Sequence, residues 1–239
     1  MARLTSEEYE KMNRYADAIK TVFVQRVMED MKENREGIHV SDLVYPCVRK
    51  AYFNKVYGHR GEDDIGQLTE RELLTFWIGK KIHELPITAF HEVPVEYMGV
   101  KGTFDEAIFA DGNFIIIDKK TSNKIPKSAY EHHKTQIRFY ALMHYKTTGV
   151  KAKYGAVIYI QKYTGMDSPE VIKVFVFPIG DYEEIELTFM ERYHQLTEAL
   201  EKGKVPERVP SFMCNYCPWH MKCFAEGRHD VVLEGTVDE

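Results

Sequence analysis

The feature that most constrains the fold is the dipeptide Asp111-Gly112. It separates two runs in which apolar and polar residues alternate, 99–110 and 113–122. Asp-Gly between two such runs is a strong signal for a β-hairpin with a two-residue turn, because both central residues of a type I′ turn need positive φ. The sequence therefore predicts a hairpin in which Ala110 pairs with Asn113 and the pairing continues outward one residue at a time.

This register predicts an acidic pair at the open end of the hairpin. Asp105 falls opposite Asp118, and Thr103 falls opposite Lys120. Because side chains alternate between the faces of a strand, Asp105, Asp118 and Lys120 are expected on one face. The other face is expected to be apolar: Phe104, Ile108, Ile115 and Ile117. A three-residue loop instead of a two-residue one would move the side chains of one strand to the opposite face.

Two opposed carboxylates have Cβ atoms about 5 Å apart and repel each other unless a positive charge lies between them. A hard divalent cation such as Mg²⁺ supplies that charge, takes oxygen ligands and keeps positions open for water and phosphate. Lys120 beside such a pair can assist an attacking water and stabilise charge on a scissile phosphate. The alternative is an exposed hairpin whose acidic pair is simply neutralised by Lys120.

The rest of the pattern predicts an α/β fold, with a mixed β-sheet flanked by helices and both chain ends folded around one core. A polar loop is expected at 59–66 and an extended linker at 205–210. The predicted helices are 5–35, a segment after Ser41-Asp42, 69–85, 128–149 and 181–203. The predicted strands are 91–98, 99–110, 113–122, 153–161 and 170–178.

Charge and composition restrict the function classes. The chain has 239 residues and a net charge of −5, which argues against a protein that is basic over its whole surface. One stretch, from Lys119 to Arg138, carries six cations and one acid, Glu131. It is either a local basic cleft or a solvated helix face and loop. There is no apolar run near the ~20 residues of a membrane span and no apolar signal segment, so a cytoplasmic protein without membrane contact is expected.

The four cysteines are Cys47, Cys214, Cys217 and Cys223. In a reducing compartment a C-x2-C-x5-C tail with one distant cysteine is more typical of a metal site than of disulfides. Four thiolates suit either zinc or an iron–sulfur centre, and their spacing leaves both open. Two isolated pairs of buried free thiols are the remaining alternative.

Several motifs resemble the RecB-type branch of the PD-(D/E)xK nucleases. They are "GTFDEAIF" with Gly102 and Asp105, "IIIDKKTS" with Asp118 to Thr121, and "TQIRFYALMHY" with Gln136 and Tyr140. "GKKIHEL", with His83, matches the histidine that this branch carries in the helix before the strands. Together with the cysteine pattern, these motifs resemble the CRISPR-associated exonuclease Cas-four family over roughly residues 41–224.

The resemblance implies the roles of individual residues. His83, Asp105, Asp118 and the backbone carbonyl of Lys119 would hold Mg²⁺ or Mn²⁺, and Lys120 would assist the water. Gln136 and Tyr140 would face the active site or the DNA strand. The second acid is more often Glu in this family, so Asp118, one methylene shorter, could shift the metal position or preference. For the cysteines the resemblance favours an iron–sulfur cluster, 4Fe-4S rather than 2Fe-2S.

The implied function is that of a metal-dependent DNA exonuclease acting on single-stranded DNA or overhangs, 5′ to 3′, in trimming prespacer DNA for CRISPR adaptation. The implied partners are DNA and the CRISPR integrase proteins, and a homo-oligomer is left open. The basic stretch would bind phosphates through Lys124, Lys134 and Arg138. The alternatives are a RecB-like repair or viral recombination nuclease and a non-catalytic DNA-end-binding adaptor.

We predict one nuclease domain over residues 1–239. Its parts are a helical N-terminal part with Cys47 (1–68), the nuclease core (69–204) and a cysteine-containing tail (205–239). The tail is expected to be tied by the metal centre to the segment around Cys47. Binding free energy at such a centre is also folding free energy.

Overall fold

The computed structural model describes residues 5–31, 36–58, 68–162 and 170–226, and it confirms an α/β fold with a mixed sheet flanked by helices. The helices are α1 (Ser6–Met31), α2 (Val40–Leu43), α3 (Arg49–Tyr57), α4 (Glu70–Glu84), α5 (Glu131–Thr148), α6 (Tyr182–Lys202) and α7 (His220–Glu226), with a 3₁₀ turn at Phe212–Tyr216. The strands are β1 (Ile38–His39), β2 (Phe90–Tyr97), β3 (Val100–Ala110), β4 (Asn113–Ser122), β5 (Ala152–Gln161) and β6 (Ile172–Pro178).

The helix boundaries follow the local signals in the sequence. Glu72 and Thr69 exchange hydrogen bonds in a capping box that starts α4. Gly149 ends α5 in the left-handed conformation, where glycine has no Cβ penalty. The helix predicted after Ser41-Asp42 is α3, although it starts at Arg49 and leaves out Cys47 and Val48, and Ser41 and Asp42 themselves lie in the short helix α2. The predicted loop 59–66 and the end of the first helix, 32–35, lie outside the described residues.

The hairpin forms with the predicted turn and register. Asp111 and Gly112 have φ values of 50° and 74°, the positive values that a type I′ turn requires at both central positions. Pairing of β3 with β4 runs from Ala110–Asn113 to Glu106–Ile117. The prediction is confirmed over this part of the hairpin.

Beyond Glu106 the two strands of the hairpin separate. β2 pairs along one edge of β3, from Val100 to Ala107. The short strand β1 pairs in parallel with Val100 and Lys101, and because β2 holds the opposite edge there, β1 lies on the same edge as β4. β4 pairs with β5 from Phe114 to Ser122, so beyond Ile117 it keeps β5 as a partner and no longer pairs with β3. The sheet is therefore forked between β3 and β4, and Asp105 lies at the fork.

The fork corrects the predicted strand pairing at Asp105 and Thr103 and the predicted face of Phe104. Asp105 does not pair with Asp118, and Thr103 does not pair with Lys120, in a segment (100–122) that the structure describes throughout. Phe104 also lies on the face opposite to the predicted one, since its ring and that of Phe114 both contact His144 of α5. The simple alternation of faces is therefore interrupted between Ala107 and Phe104, where β3 leaves β4 for β1.

The core lies between the sheet and helices α5, α6 and α3. Phe139 of α5 and Phe189 of α6 meet edge to face at 5.2 Å, and both are buried. Burial of each such side chain contributes about 1.5–3 kcal/mol. Arg192 of α6 donates to the carbonyls of Leu43 and Val44 and fixes the segment before Cys47. In the described part of the chain, no helix has the length and apolarity that a bilayer span needs.

Candidate active site

Asp118 is the most unusual carboxylate of the site. It projects from β4 just beyond the fork and its exposed fraction is 2%. Its Oδ2 forms an ion pair with Nζ of Lys120 at 2.8 Å and has no other partner among the described residues. Burial raises the pKa of Asp118, and the charge of Asp105 adds to this, whereas Lys120 and His83 lower it.

Asp105 lies on the other strand of the fork and is tied to both neighbouring elements. Its Oδ2 lies 2.8 Å from Nδ1 of His83, in the last turn of α4, and accepts a 2.6 Å hydrogen bond from the backbone N–H of Lys119. On the other edge of β3, the pairing with β2 skips Glu92, which has φ 47°. Two carboxylates, an imidazole and an ammonium group are thus brought together where the regular sheet is interrupted.

The side chain of Lys119 points away from this group. Its Nζ donates to the backbone carbonyl of Leu85 at 2.6 Å and to Oε1 of Glu106 at 2.9 Å, and both charged groups are buried. Glu106 also accepts from the backbone N–H groups of Ile87 and Thr88. The ion pair therefore holds the segment that follows His83.

The sequence analysis missed Glu106. The signal was available: an acid next to Asp105, in a strand where Phe104, Ala107 and Ile108 mark a buried environment. A buried charge needs a partner, and Lys119, adjacent to Asp118, is the basic residue that the hairpin places beside it.

Gln136 and Tyr140 lie one turn apart on α5 and face the same cleft. Nε2 of Gln136 donates to the hydroxyl of Tyr140 at 2.9 Å. Gly102 allows this arrangement, because a Cβ there would lie 2.7 Å from Cε1 of Tyr140 and 2.9 Å from Cγ2 of Val40. The glycine of the first motif thus provides space for the tyrosine of the last.

The cleft above the fork has a volume of about 1150 Å³ and lies between α4 and α5. Its lining includes His83, Asp105, Asp118, Lys120, Gln136 and Tyr140, and also Lys80, Lys101 and Lys162. Lys124, Lys134 and Arg138 do not line it. Lys124 is exposed, whereas Lys134 and Arg138 both pair with Glu131, at 2.5 and 2.7 Å. Their contact with DNA stays a prediction.

The four cysteines line a second, smaller cavity of about 90 Å³ together with Arg49 and Arg208. All four are free thiols. Burial raises the pKa of Cys223, and the neighbouring Cys47 and Cys217 also raise it, against the effect of the two arginines. The tail docks on α3 through Trp219, which is buried and donates to Oδ1 of Asn54 at 2.6 Å.

The side chains at each cavity are of the types that bind the metal centres expected from the sequence, a divalent cation at the cleft and a thiolate-bound centre at the cysteines. Within 5–31, 36–58, 68–162 and 170–226, no group of three or more His, Cys, Asp or Glu side chains has the arrangement of a metal site. At the fork, the buried carboxylate of Asp118, with the carboxylate of Asp105 beside it, nevertheless fits a hard cation, which prefers carboxylate oxygens. At the second cavity, four thiols and two arginines fit a thiolate-bound centre in donor type and charge.

The sheet, its fork and the carboxylate–lysine group define an α/β protein with a candidate catalytic site at the base of a cleft. The chain belongs to the PD-(D/E)XK nuclease superfamily, whose family model matches residues 16–224. This membership implies a hydrolase acting on nucleic acid. Mg²⁺ or Mn²⁺ is the usual metal in this superfamily.

A solved structure described as "Crystal structure of SSO0001" is similar to the chain, with a TM-score of 0.55 and 21% sequence identity. The match covers 87% of this chain and 97% of that one. At this identity the likeness concerns the fold alone. No curated protein matches the chain.

Proposed function

We propose that the chain is a metal-dependent DNA exonuclease acting on single-stranded DNA or single-stranded overhangs. The observation that carries this is the buried Asp118 carboxylate, which is paired with Lys120 alone and lies beside Asp105 in a cleft lined by further lysines. Two neighbouring carboxylates beside one lysine carry more negative charge than that lysine balances, so the group favours a ligand of opposite charge.

The residues that would hold the cation are His83, Asp105, Asp118 and the backbone carbonyl of Lys119. When bound, Mg²⁺ or Mn²⁺ lowers the pKa of a water and offsets negative charge on the scissile phosphate. Lys120 places a second positive charge beside that phosphate and orients the water through its ammonium protons. The N–H of Lys119 and the imidazole of His83 hold the carboxylate of Asp105 in position.

The test is a nuclease assay on single-stranded and blunt double-stranded DNA, labelled separately at the 5′ and 3′ ends, with Mg²⁺ or Mn²⁺. Asp118→Asn keeps the shape of the side chain and removes its charge, so it should abolish cleavage. Glu201→Gln, an exposed change on α6, is the matched control and should cleave like the wild type. Equal cleavage by wild type and Asp118→Asn would show a contaminant or a misassigned site.

The same assay separates the alternatives. Release of single nucleotides from one end supports an exonuclease, and internal fragments support an endonuclease. DNA that is bound but not cut by the wild type with either metal supports a non-catalytic DNA-end-binding adaptor. Trimming of prespacer overhangs that is stimulated by CRISPR integrase proteins supports a role in CRISPR adaptation, and the absence of stimulation favours a repair or recombination nuclease.

We further propose that Cys47, Cys214, Cys217 and Cys223 hold an iron–sulfur cluster, 4Fe-4S rather than 2Fe-2S, with a structural role. The four side chains already line one cavity, although they are separated by as many as 176 positions in sequence. Anaerobically purified protein should be brown, and Cys214→Ser should be colourless and less soluble. Colourless wild-type protein containing stoichiometric zinc would replace the cluster with a zinc site.

A further inference from the structure

Three aromatic rings form a pile beside the cleft. The ring of His132 stacks on Tyr45 at 5.1 Å and on Tyr130 at 5.6 Å, with interplanar angles of 27° and 9°. Nζ of Lys50 lies 5.5 Å from the centroid of the Tyr45 ring. Tyr130 is 44% exposed to solvent. A cation therefore contacts Tyr45, whereas Tyr130, whose ring also meets His133 and Tyr159 edge to face, stays partly exposed.

The pile is anchored to β5, the strand that pairs with β4 at Lys120. Tyr159 of β5 pairs with Lys120 of β4. The buried Tyr159 hydroxyl accepts from the backbone N–H of Tyr130 and lies 2.7 Å from Nδ1 of His133. Since that hydroxyl accepts a hydrogen bond from the amide, its own proton is available for a hydrogen bond to Nδ1 of His133. The start of α5 is thereby fixed relative to the candidate active site.

The position of the pile connects the two cavities. Tyr45 and Lys50 line the cysteine cavity, whereas Lys120 lines the cleft and its charge acts on both His132 and His133. Lys124 and Lys127, in the segment before Tyr130, are exposed. Rings with an open face and exposed cations nearby are the combination that binds a single strand, since bases stack on the rings and phosphates contact the cations.

We propose that the pile Tyr45–His132–Tyr130 is a stacking platform for the bases of a single-stranded nucleic acid that extends from the cleft towards the cysteine cavity. The first base would stack on the exposed ring of Tyr130 and continue the existing pile. Because every base has a π face, the platform would be tolerant of sequence. This inference rests on the proposed function and assigns a binding subsite outside the candidate catalytic group.

The test is fluorescence anisotropy with a labelled 20-nucleotide oligo-dT and with an abasic strand of equal length, both in EDTA so that no cleavage occurs. Tyr130→Ala keeps the backbone N–H that binds Tyr159 and should weaken binding of oligo-dT by roughly fivefold or more, as loss of one base–aromatic stack does. Tyr130→Phe should bind like the wild type. Tyr15→Ala, an exposed tyrosine on α1, is the matched control.

The abasic strand isolates stacking from charge. The wild type and Tyr130→Ala should bind it equally, because it offers no base to the ring. The platform would be overturned if the two proteins bound oligo-dT equally. It would also be overturned if Tyr130→Ala lost as much affinity for the abasic strand as for oligo-dT. If the wild type cleaves DNA through Asp118 and Tyr130→Ala binds oligo-dT as tightly as the wild type, only the platform is wrong. If the wild type neither binds nor cleaves single strands, both proposals are wrong.

Discussion

The imidazole of His83 lies 2.8 Å from the carboxylate of Asp105, although the two residues belong to different elements, the end of α4 and the fork of the sheet. The same carboxylate oxygen also accepts the backbone N–H of Lys119. One contact therefore joins a helix to both strands of the fork. It places an imidazole nitrogen beside two carboxylates, donor types that divalent cations bind.

His83→Ala should weaken binding of Mn²⁺ and reduce metal-dependent cleavage by at least roughly tenfold, since loss of even an indirect ligand contact costs that much. The physical reason is twofold: the change removes a nitrogen donor and frees Asp105 to move. Isothermal titration calorimetry with Mn²⁺ checks the affinity directly. His194→Ala, an exposed change on α6, should leave it unchanged. Wild-type Mn²⁺ affinity in His83→Ala would remove His83 from the site.

Lys119→Met should lower the free energy of unfolding by about 3–5 kcal/mol, because it leaves the buried carboxylate of Glu106 without its counter-ion. The backbone carbonyl of residue 119 is retained, so the change tests the ion pair rather than the proposed metal ligand. Urea unfolding followed by circular dichroism measures the loss. Lys173→Met removes an exposed ion pair on β6 and should cost less than about 1 kcal/mol. Similar costs for the two variants would contradict a structural role for the Lys119–Glu106 pair.

The hairpin could be predicted from the sequence because its determinants are local. Asp111 and Gly112 adopt the positive φ values of the predicted turn, and the turn sets the register as far as Glu106. Helix starts at Thr69 and ends at Gly149 depend likewise on neighbouring residues. Motif spacing also selected residues that the fold brings to one cleft, including His83 and Tyr140.

The fork could not be predicted, because it depends on a strand of two residues far away in the chain. Ile38 and His39 occupy the edge of β3 at Val100 and Lys101, and no local pattern marks such a short strand. Extending the hairpin register past Glu106 therefore gave a direct pair between Asp105 and Asp118 that the structure does not contain. The basic stretch was misleading for a similar reason, since Glu131 lies one helical turn from Lys134 and two from Arg138 and pairs with both.

His133 should make stability depend on pH. Burial, assisted by the charge of Lys120, lowers the pKa of His133 to about 2, from an ordinary value of 6.5. The folded state therefore keeps this ring neutral while the unfolded chain takes up a proton below pH 6.5. Its contribution to stability is complete above that pH and is lost as the pH falls, by up to about 1.4 kcal/mol per pH unit.

His133→Asn keeps an acceptor for the hydroxyl of Tyr159 and removes the titrating group. In urea unfolding at pH 7, 6 and 5, the free energy of unfolding should fall less steeply with decreasing pH for this variant than for the wild type. The difference in slope should correspond to the uptake of about one proton. His194→Asn, at an exposed position, should keep the wild-type slope. Equal slopes for His133→Asn and the wild type would show that His133 is protonated in the folded state.

Gly102→Ala should impair activity more than stability. An added Cβ would lie 2.7 Å from the ring of Tyr140 and 2.9 Å from Val40, so the ring must shift and its hydrogen bond with Gln136 is strained. Overpacking of this kind costs about 1–3 kcal/mol. A displaced tyrosine in the cleft should lower the cleavage rate by roughly tenfold to a hundredfold, because productive geometry tolerates little misplacement.

Gly79→Ala is the matched change on the other side of the cleft. Its added Cβ would meet only Oγ1 of Thr121, at 3.4 Å, and it lies inside α4, where alanine is favoured over glycine by about 1 kcal/mol. This variant should therefore be at least as stable as the wild type and retain most of its cleavage rate. Thermal melts and initial cleavage rates of the two variants, measured side by side, check both statements. If Gly102→Ala cleaves as fast as Gly79→Ala, the contact between Gly102 and Tyr140 has no role in positioning the strand.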